Sequence, residues 1–260
     1  MANDRIVLGG ITTDVLTEQQ LLDIMSDHCL ATAGLRADGR RRAPKLVYSS
    51  NGQIISGVAR SPDLGAIMEQ GDIVHADGMS LVFASRLVSR TALPERITMA
   101  DFFYAAAEMA SEKGLSFYLL GGTDEDNAKC AEIMQARYPR LVIAGRDSRR
   151  IATEEDELAV CEAINRVNPD IVWVGLGFPK QVRFCGRNRH RIDAGWLVTC
   201  GGCFSYVTGT YPRAPVWMQR AGLEWLFRVL SDPRQFLMRY VTTNFHALWL
   251  LLTRSSNVVT

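Results

Sequence analysis

Short apolar runs alternate with longer stretches of helical periodicity along most of the chain. The apolar runs are rich in β-branched residues and are too short for helices, which predicts strands. The predicted strands are Lys45–Ser49, Asp72–His75, Ser116–Leu120, Leu141–Ala144, Ile171–Gly175 and Leu197–Thr199. The predicted helices are Ser61–Glu69, Asp101–Lys113, Asp124–Arg137 and Glu154–Val167. Alternation of strands and helices is typical of βαβ units, so the pattern predicts an α/β fold with a mostly parallel sheet.

Two polar, basic stretches interrupt this pattern. Ala33–Pro44 and Gly145–Thr153 combine arginines with glycine and other small residues, which predicts exposed loops. Within the first stretch, the run Arg40–Arg42 is a candidate for contact with anionic lipid.

The pattern changes again after residue 210. Between Tyr211 and Arg254, aromatic residues are interleaved with six arginines, against which stand only Glu224 and Asp232. Helices that are both basic and amphipathic are typical of elements that lie on a membrane surface. A helical layer packed on the sheet, with arginine stems covering apolar surface, explains the same composition. We therefore divide the chain into a sheet domain, residues 1–210, and a C-terminal helical appendage, residues 211–260.

Composition and charge narrow the function classes. The chain is 47% hydrophobic with a net charge of +1, which is ordinary for a globular protein and gives no indication of nucleic-acid binding. Its six cysteines are scattered, and the pair Cys200 and Cys203 lacks a second pair for a zinc site. The N-terminal residues do not follow the pattern of a secretory signal, and no run approaches the ~20 apolar residues of a spanning helix. These features predict a protein of the bacterial cytoplasm.

Polar residues follow three of the predicted strands. Asn51 follows the first, Asp77 and Gly78 follow the second, and Gln181 follows Ile171–Gly175. Because ligands of α/β folds bind at the carboxyl ends of parallel strands, these residues predict a pocket. The Asp77 carboxylate would serve there as a general base, although an Asp-Gly turn without catalytic function is the simpler interpretation.

A further candidate site is the Gly121-Gly122-Thr123 segment, which joins a predicted strand to a helix. Glycines allow close approach of a phosphate, and a helix N-terminus offers free N–H groups, but many turns of this kind bind nothing. Thr123 is expected to cap the helix, with Asp126 in a near capping box. Asp124 and Asp126 form a D-x-D motif, for which acidic residues in a first helical turn are a better explanation than a metal site.

Taken together, these motifs resemble the WecG/TagA/CpsF glycosyltransferase family, glycosyltransferase family 26. The resemblance covers nearly the whole chain. It rests on VLGGITTDVLTEQQLLDIM near the start, Asn51, Ala76–Gly78, Leu93–Thr98, Leu119–Gly122, Tyr138–Pro139, Asn168–Gln181, Gly201–Phe204 and Arg213–Arg234. The last block is the most specific, because its order of RAP, W, GLEW and P is hard to obtain by chance.

The resemblance implies a Rossmann-like sheet with helices on both faces and an inverting, metal-independent transferase without a cofactor. It implies a UDP-sugar donor, an undecaprenyl-diphosphate-linked saccharide acceptor and a role in bacterial surface polysaccharide synthesis. Asp77 matches the family's proposed base and Asn51 its neighbour, and the helical appendage would be a lid that also contacts the inner face of the plasma membrane. The implied substrate-binding residues are Asn51, Arg96, Gly121, Gly122, Gln181, Arg228, Arg234 and Arg239.

Three positions depart from the family pattern. Val182 stands where a Glu is usual, Ser205 where an Asp is usual, and Thr98-Met99 where Thr-Gly is usual. These departures keep two alternatives open. One is a non-catalytic member that scaffolds a polysaccharide assembly complex, and the other is a different nucleotide-binding α/β enzyme, such as an epimerase. Homo-oligomer formation is also left open.

Overall fold

The computed structural model describes residues 4–38 and 40–257, which form strands and helices in alternation. The strands are β1 (Arg5–Leu8), β2 (Ile11–Asp14), β3 (Lys45–Ser50), β4 (Ile73–Ala76), β5 (Ser116–Gly121), β6 (Val142–Asp147), β7 (Ile171–Gly175), β8 (Trp196–Thr199) and β9 (Ser256–Asn257). The helices are α1 (Glu18–Ala37), α2 (Gly52–Val58), α3 (Pro62–Met68), α4 (Met79–Val88), α5 (Met99–Lys113), α6 (Asp124–Arg137), α7 (Glu154–Val167), α8 (Lys180–Asn188), α9 (Cys203–Thr208), α10 (Val216–Arg220), α11 (Glu224–Ser231) and α12 (Pro233–Thr253).

The described residues group into two compact units. The first unit comprises residues 4–18, 49–98 and 212–257. The second comprises residues 19–38, 40–48 and 99–211. The chain crosses from the second unit to the first within β3, so this strand contributes residues to both.

The second unit is built on parallel strands in the order β3-β8-β7-β5-β6. Strands β5, β7 and β8 are fully buried and nearly continuous apolar runs, as expected for strands that are covered on both faces, whereas the edge strand β6 is mostly half-buried or exposed. Trp173 of β7 is fully buried and packs edge-on against Phe103 of α5, with 4.8 Å between ring centroids. The parallel α/β fold predicted from the strand–helix alternation is therefore confirmed, with helices flanking the sheet.

In the first unit, β4 lies beside the last residues of β3, where the Asp77 amide donates to the Ser50 carbonyl oxygen over 2.8 Å. The strand order through the whole sheet is β4-β3-β8-β7-β5-β6. A separate antiparallel sheet has the order β2-β1-β9. Its first two strands are joined by a tight turn at Gly9 and Gly10, whose φ angles are +59° and +88°.

Helix α12 packs one face against α2 in the first unit. Leu250 and Leu251 are almost completely buried, and Ser56 of α2 contacts His246 Nδ1 at 3.0 Å. The opposite face carries large exposed apolar side chains, among them Met238, Val241, Phe245, Leu248, Trp249 and Leu252. In the described part of the chain, neither this helix nor any other is long and apolar enough to cross a membrane.

The first predicted loop differs from the structure in two ways. Helix α1 continues to Ala37, so Ala33–Ala37 are helical, while Gly39 lies outside the described residues. Arg42 is not available to lipid, because its side chain is buried in ion pairs with Asp170 at 3.1 Å and Asp193 at 3.2 Å. The prediction of a lipid contact at this residue was therefore wrong. In the second predicted loop, residues 145–147 belong to β6.

Candidate active site

Asp77 lies directly after β4, at the carboxyl end of the strand, as predicted. Its amide is fixed by the Ser50 carbonyl, and the Ile97 amide donates to the Ala76 carbonyl oxygen over 2.8 Å. Gly78 then caps α4 with extended backbone angles. The Asp77 side chain is half-buried in the first unit.

Asn51 is held beside Asp77 by its role at the start of α2. Its Oδ1 atom accepts from the amides of Gln53 at 3.1 Å and Ile54 at 3.2 Å, which caps the helix. With the oxygen committed to the helix, the NH₂ group of the same amide donates to the Asp77 carboxylate. The sequence prediction that these two residues are neighbours is therefore consistent with the local geometry of the first unit.

Burial raises the pKa of Asp77 from 3.8 to about 7. The Arg228 and Arg96 guanidinium groups and the Asn51 hydrogen bond oppose this rise, while the Glu224 carboxylate adds to it. A carboxyl group with a pKa of about 7 exchanges protons near neutral pH, which suits a general base.

Two of the predicted substrate-binding arginines lie close to this carboxyl group and share one anionic partner. Arg96 Nη1 donates to Glu224 Oε2 over 2.8 Å, and Arg228 Nη2 donates to Glu224 Oε1 over 3.0 Å. Arg96 also donates to Gln219 Oε1 over 2.9 Å. The first unit therefore places a potential base, Asp77, within the electrostatic reach of two cations.

The remaining predicted arginines of the appendage have different surroundings. Arg239 lies over the rings of Phe236 and Tyr240, with its guanidinium carbon 4.6 Å and 4.8 Å from the two ring centroids. Its Nη2 donates to the Tyr240 hydroxyl over 3.1 Å. Arg234 is exposed in the first turn of α12. A substrate contact at either arginine stays a prediction.

Gly121, Gly122 and Gln181 lie in the second unit, at or just beyond the carboxyl ends of β5 and β7. Gly121 has a φ angle of +99°, and a Cβ atom there would lie 2.6 Å from the Gly175 carbonyl oxygen, so no larger residue fits. Gln181 is buried, and its Oε1 accepts from the Gly201 amide over 3.0 Å. These residues therefore have a structural role within the second unit, and their contact with substrate stays a prediction.

The two aspartates of the D-x-D motif belong to separate hydrogen-bond networks. Thr123 caps α6 by accepting from the Asp126 amide over 3.1 Å, as predicted. Asp124 is exposed and accepts from Arg146 and Ser148, whereas Asp126 accepts from the hydroxyls of Ser205, Thr208 and Thr210. Across residues 4–38 and 40–257, no group of three His, Cys, Asp or Glu side chains is arranged to hold a metal ion.

The Asp126 network also gives a physical reason for one departure from the family pattern. The Ser205 hydroxyl donates to Asp126 Oδ2 over 2.8 Å. An aspartate at position 205 would place a second carboxylate against Asp126, and like charges at this distance repel. Serine at position 205 therefore suits the presence of Asp126, because its hydroxyl donates a hydrogen bond and carries no charge.

Sequence reasoning missed Glu224 and Gln219, which contact the predicted arginines. One signal for Glu224 was available, because Glu224 and Arg228 are four residues apart and face the same side of a helix. The contact of Glu224 with Arg96, across 128 positions of the sequence, had no local signal.

The chain is similar to known proteins over most of its length. A family model described as "Glycosyl transferase WecG/TagA/CpsF family" matches residues 6–258. One relative, an N-acetylglucosaminyldiphosphoundecaprenol N-acetyl-beta-D-mannosaminyltransferase of Bacillus subtilis (strain 168), is 29% identical over 188 residues, which cover 72% of each chain. A relative of the same name from Bacillus spizizenii (strain ATCC 23059 / NRRL B-14472 / W23) is 28% identical over 202 residues, covering 76% of this chain and 77% of the relative.

Proposed function

The chain belongs to the WecG/TagA/CpsF family of glycosyl transferases, and we propose that it moves a sugar from a UDP-sugar onto a polyprenyl-diphosphate-linked saccharide during synthesis of a bacterial surface polysaccharide. The observation that carries this proposal is Asp77, a half-buried carboxyl with a raised pKa, placed near Arg96 and Arg228. The names of the two Bacillus relatives support a diphosphoundecaprenol-linked acceptor.

The reaction assigns a separate role to each group. Ionised Asp77 removes the proton from the acceptor hydroxyl as its oxygen attacks the anomeric carbon of the donor. The bond from that carbon to the diphosphate breaks on the opposite face, so UDP leaves with the bonding electrons and the configuration inverts. Negative charge grows on the leaving diphosphate, where Arg96 and Arg228 stabilise it by charge-assisted hydrogen bonds. Asn51 orients the base.

The most direct test is a donor screen with a synthetic polyprenyl-diphosphate N-acetylglucosamine acceptor. We expect release of UDP from at least one UDP-sugar only when the acceptor is present, together with a saccharide product lengthened by one sugar. An epimerase would convert the UDP-sugar without acceptor and without UDP release. A non-catalytic scaffold would give neither product with any donor.

Transfer is expected to need no divalent metal ion. Asp124 and Asp126 are held by separate partners, so they do not present two free carboxylates to one ion. Guanidinium groups supply the positive charge that a metal would otherwise provide. The measurement is the transfer rate in excess EDTA, which should stay within about twofold of the untreated rate. A large loss of rate that Mn²⁺ or Mg²⁺ restores would overturn this expectation.

Residues 211–260 are proposed to act both as a lid and as the contact with the inner face of the plasma membrane. On the outer face of α12, exposed apolar side chains recur at intervals of three and four residues at positions 238, 241, 245, 248 and 252, and Trp249 lies four residues after Phe245, so they form one stripe along the helix. Phe245 is 75% exposed and Trp249 53% exposed. Such a stripe on a helix from a basic segment supports reversible binding to an anionic surface.

Vesicle binding should depend on this stripe. A triple variant, Phe245→Ser, Trp249→Ser and Leu252→Ser, is expected to lower partitioning onto anionic vesicles by about 10-fold or more, because each side chain loses part of a ~1.5–3 kcal/mol burial term. Co-sedimentation at low salt measures the effect. Leu158→Ser, at an exposed apolar position of α7, is the matched control and should bind as the wild type does. Equal binding by the triple variant would contradict the assignment of this face.

A further inference from the structure

Glu224 lies between the two arginines that are proposed to stabilise the leaving group. Each carboxylate oxygen accepts from a different guanidinium group, Arg96 at 2.8 Å and Arg228 at 3.0 Å. The side chains of Glu224 and Arg96 are only 16% and 14% exposed, so the pairing is shielded from solvent. A single anion bridged between two arginines is the arrangement that one phosphate group of a bound diphosphate would take.

Arg96 does not depend on Glu224 alone for its position. Arg96 Nη2 donates to Gln219 Oε1 over 2.9 Å, and Gln219 is itself anchored because its Nε2 donates to the Ala214 carbonyl oxygen over 2.8 Å. Arg213 donates to the same Gln219 oxygen over 3.3 Å. Arg96 would therefore remain in place if Glu224 moved away, which distinguishes Glu224 from a simple structural brace.

The Glu224 carboxylate also has a source of electrostatic stabilisation besides the two arginines. It is the first residue of α11, where the free N–H groups of the helix N-terminus attract a carboxylate. The preceding turn includes Gly222, with a φ angle of +73°, and a Cβ atom there would lie 3.3 Å from Met79 and Phe83. This turn packs closely in the first unit at the start of α11, so release of the arginines would call for rotation of the Glu224 side chain and not for movement of the helix.

We propose that Glu224 is a positioning residue that fills the diphosphate site of the empty enzyme and is displaced from Arg96 and Arg228 when a diphosphate binds. The proposal rests on the donor-binding role of these arginines given above. It adds an exchange of one anion for another, which lowers the affinity for diphosphate and keeps both arginines paired with a carboxylate until substrate arrives.

The test compares the wild type with Glu224→Gln by isothermal titration calorimetry, with UDP and inorganic pyrophosphate as separate probes. Glutamine keeps the size of the side chain and removes the competing charge. We expect both probes to bind about threefold to tenfold more tightly to the variant, the range of a partly shielded ion pair. Glu69→Gln, which removes an exposed carboxylate at the end of α3, is the control of equal charge change and should leave both affinities unaltered.

Weaker or unchanged binding of both probes to Glu224→Gln would overturn the exchange, because a brace weakens binding when it is removed and a bystander changes nothing. If the glutamine variant does not fold, Glu224→Asp keeps the charge but is too short to bridge both arginines. Exchange then predicts a smaller gain in affinity, and no gain overturns it.

A pH profile gives a second readout, because it reports the effect of the Glu224 charge on Asp77. Asp77 faces Arg228 and Glu224 of α11, Arg96 of the loop between α4 and α5, and Asn51 at the N-cap of α2, and among these Glu224 is the group that raises its pKa. The acid limb of kcat/KM should therefore shift to lower pH in Glu224→Gln.

The two probes also distinguish failure of the exchange from failure of the proposed donor site. If the arginines do not bind the UDP-sugar donor, Glu224→Gln should gain affinity for pyrophosphate but not for UDP. Absence of binding by either probe to either protein overturns both.

Discussion

Replacing Asp77 with asparagine is expected to lower the transfer rate by ~10²–10⁴-fold, the usual cost of losing a general base. The substitution is nearly isosteric, and the amide of residue 77 keeps its bond to Ser50. The rate should be measured at saturating donor and acceptor. In the wild type, kcat/KM should rise with pH through about 7 as Asp77 ionises, and this limb should be absent from the residual activity of the variant.

The same substitution should stabilise the protein at alkaline pH. Because the pKa of Asp77 is about 7 in the folded state and 3.8 in the unfolded reference, the folded state favours the protonated carboxyl. Stability from this group is fully present below pH 3.8 and is lost as pH rises through 7. Asparagine avoids this loss, so its free energy of unfolding at pH 8 should exceed the wild-type value by ~1–3 kcal/mol, discounted for partial exposure.

A control separates the loss of the base from the general effect of removing a carboxylate. Asp63→Asn changes an exposed carboxylate in the first turn of α3 and should leave the transfer rate within about twofold. Turnover of Asp77→Asn within about threefold of wild type would show that another residue is the base. A variant that melts below wild type at pH 8 would contradict the electrostatic argument, even if activity is lost.

Replacing Arg228 with glutamine should cost ~10²–10³-fold in kcat, in line with the loss of one charged donor to a developing anion. Arg228 contacts Glu224 at 3.0 Å and lowers the pKa of Asp77, so its removal affects both the leaving group and the base. The acid limb of the pH profile should therefore move to higher pH.

Lysine at position 228 separates charge from geometry. It restores the charge but not the planar fork, so we expect only partial recovery of kcat in Arg228→Lys. Arg220→Gln removes an exposed arginine at the end of α10 and serves as the matched control, with a rate near that of wild type. If Arg228→Gln raises KM alone and leaves kcat unaltered, Arg228 binds ground state and transition state equally well and the proposed role is wrong.

The main sheet was predictable from the sequence because its strands are buried, β-branched and bounded by polar turns. The sheet of β1, β2 and β9 was missed, although part of its signal was present. Gly9 and Gly10 separate two short runs, and both adopt the positive φ angles that a two-residue hairpin turn requires. Strand β9 has only two residues, too few to give any periodic pattern.

The candidate site was predictable to the extent that it depends on strand ends. Asp77 and Asn51 follow strands directly, so the parallel topology brings them together. Whether an arginine side chain is buried and which group it pairs with depend instead on residues that are distant in the sequence. Arg42, within a basic run typical of a solvated loop, is buried because Asp170 and Asp193 surround it. Arg96 meets Glu224 only after α11 has packed in the first unit.

The pairing of β1 with β9 means that the first unit is assembled from segments far apart in the sequence. Ile6 lies opposite Asn257 and Val7 opposite Ser256, and the Gly10 amide donates to the Arg254 carbonyl oxygen over 2.8 Å. All residues of the second unit lie before residue 212, whereas the first unit also needs residues 212–257. During synthesis Asp77 and Arg96 are made well before Arg228, whose place near Asp77 depends on α11. A nascent chain that stalls before residue 224 lacks Arg228, so we expect it to bind a fluorescent UDP analogue more weakly than a chain that includes α11 and α12.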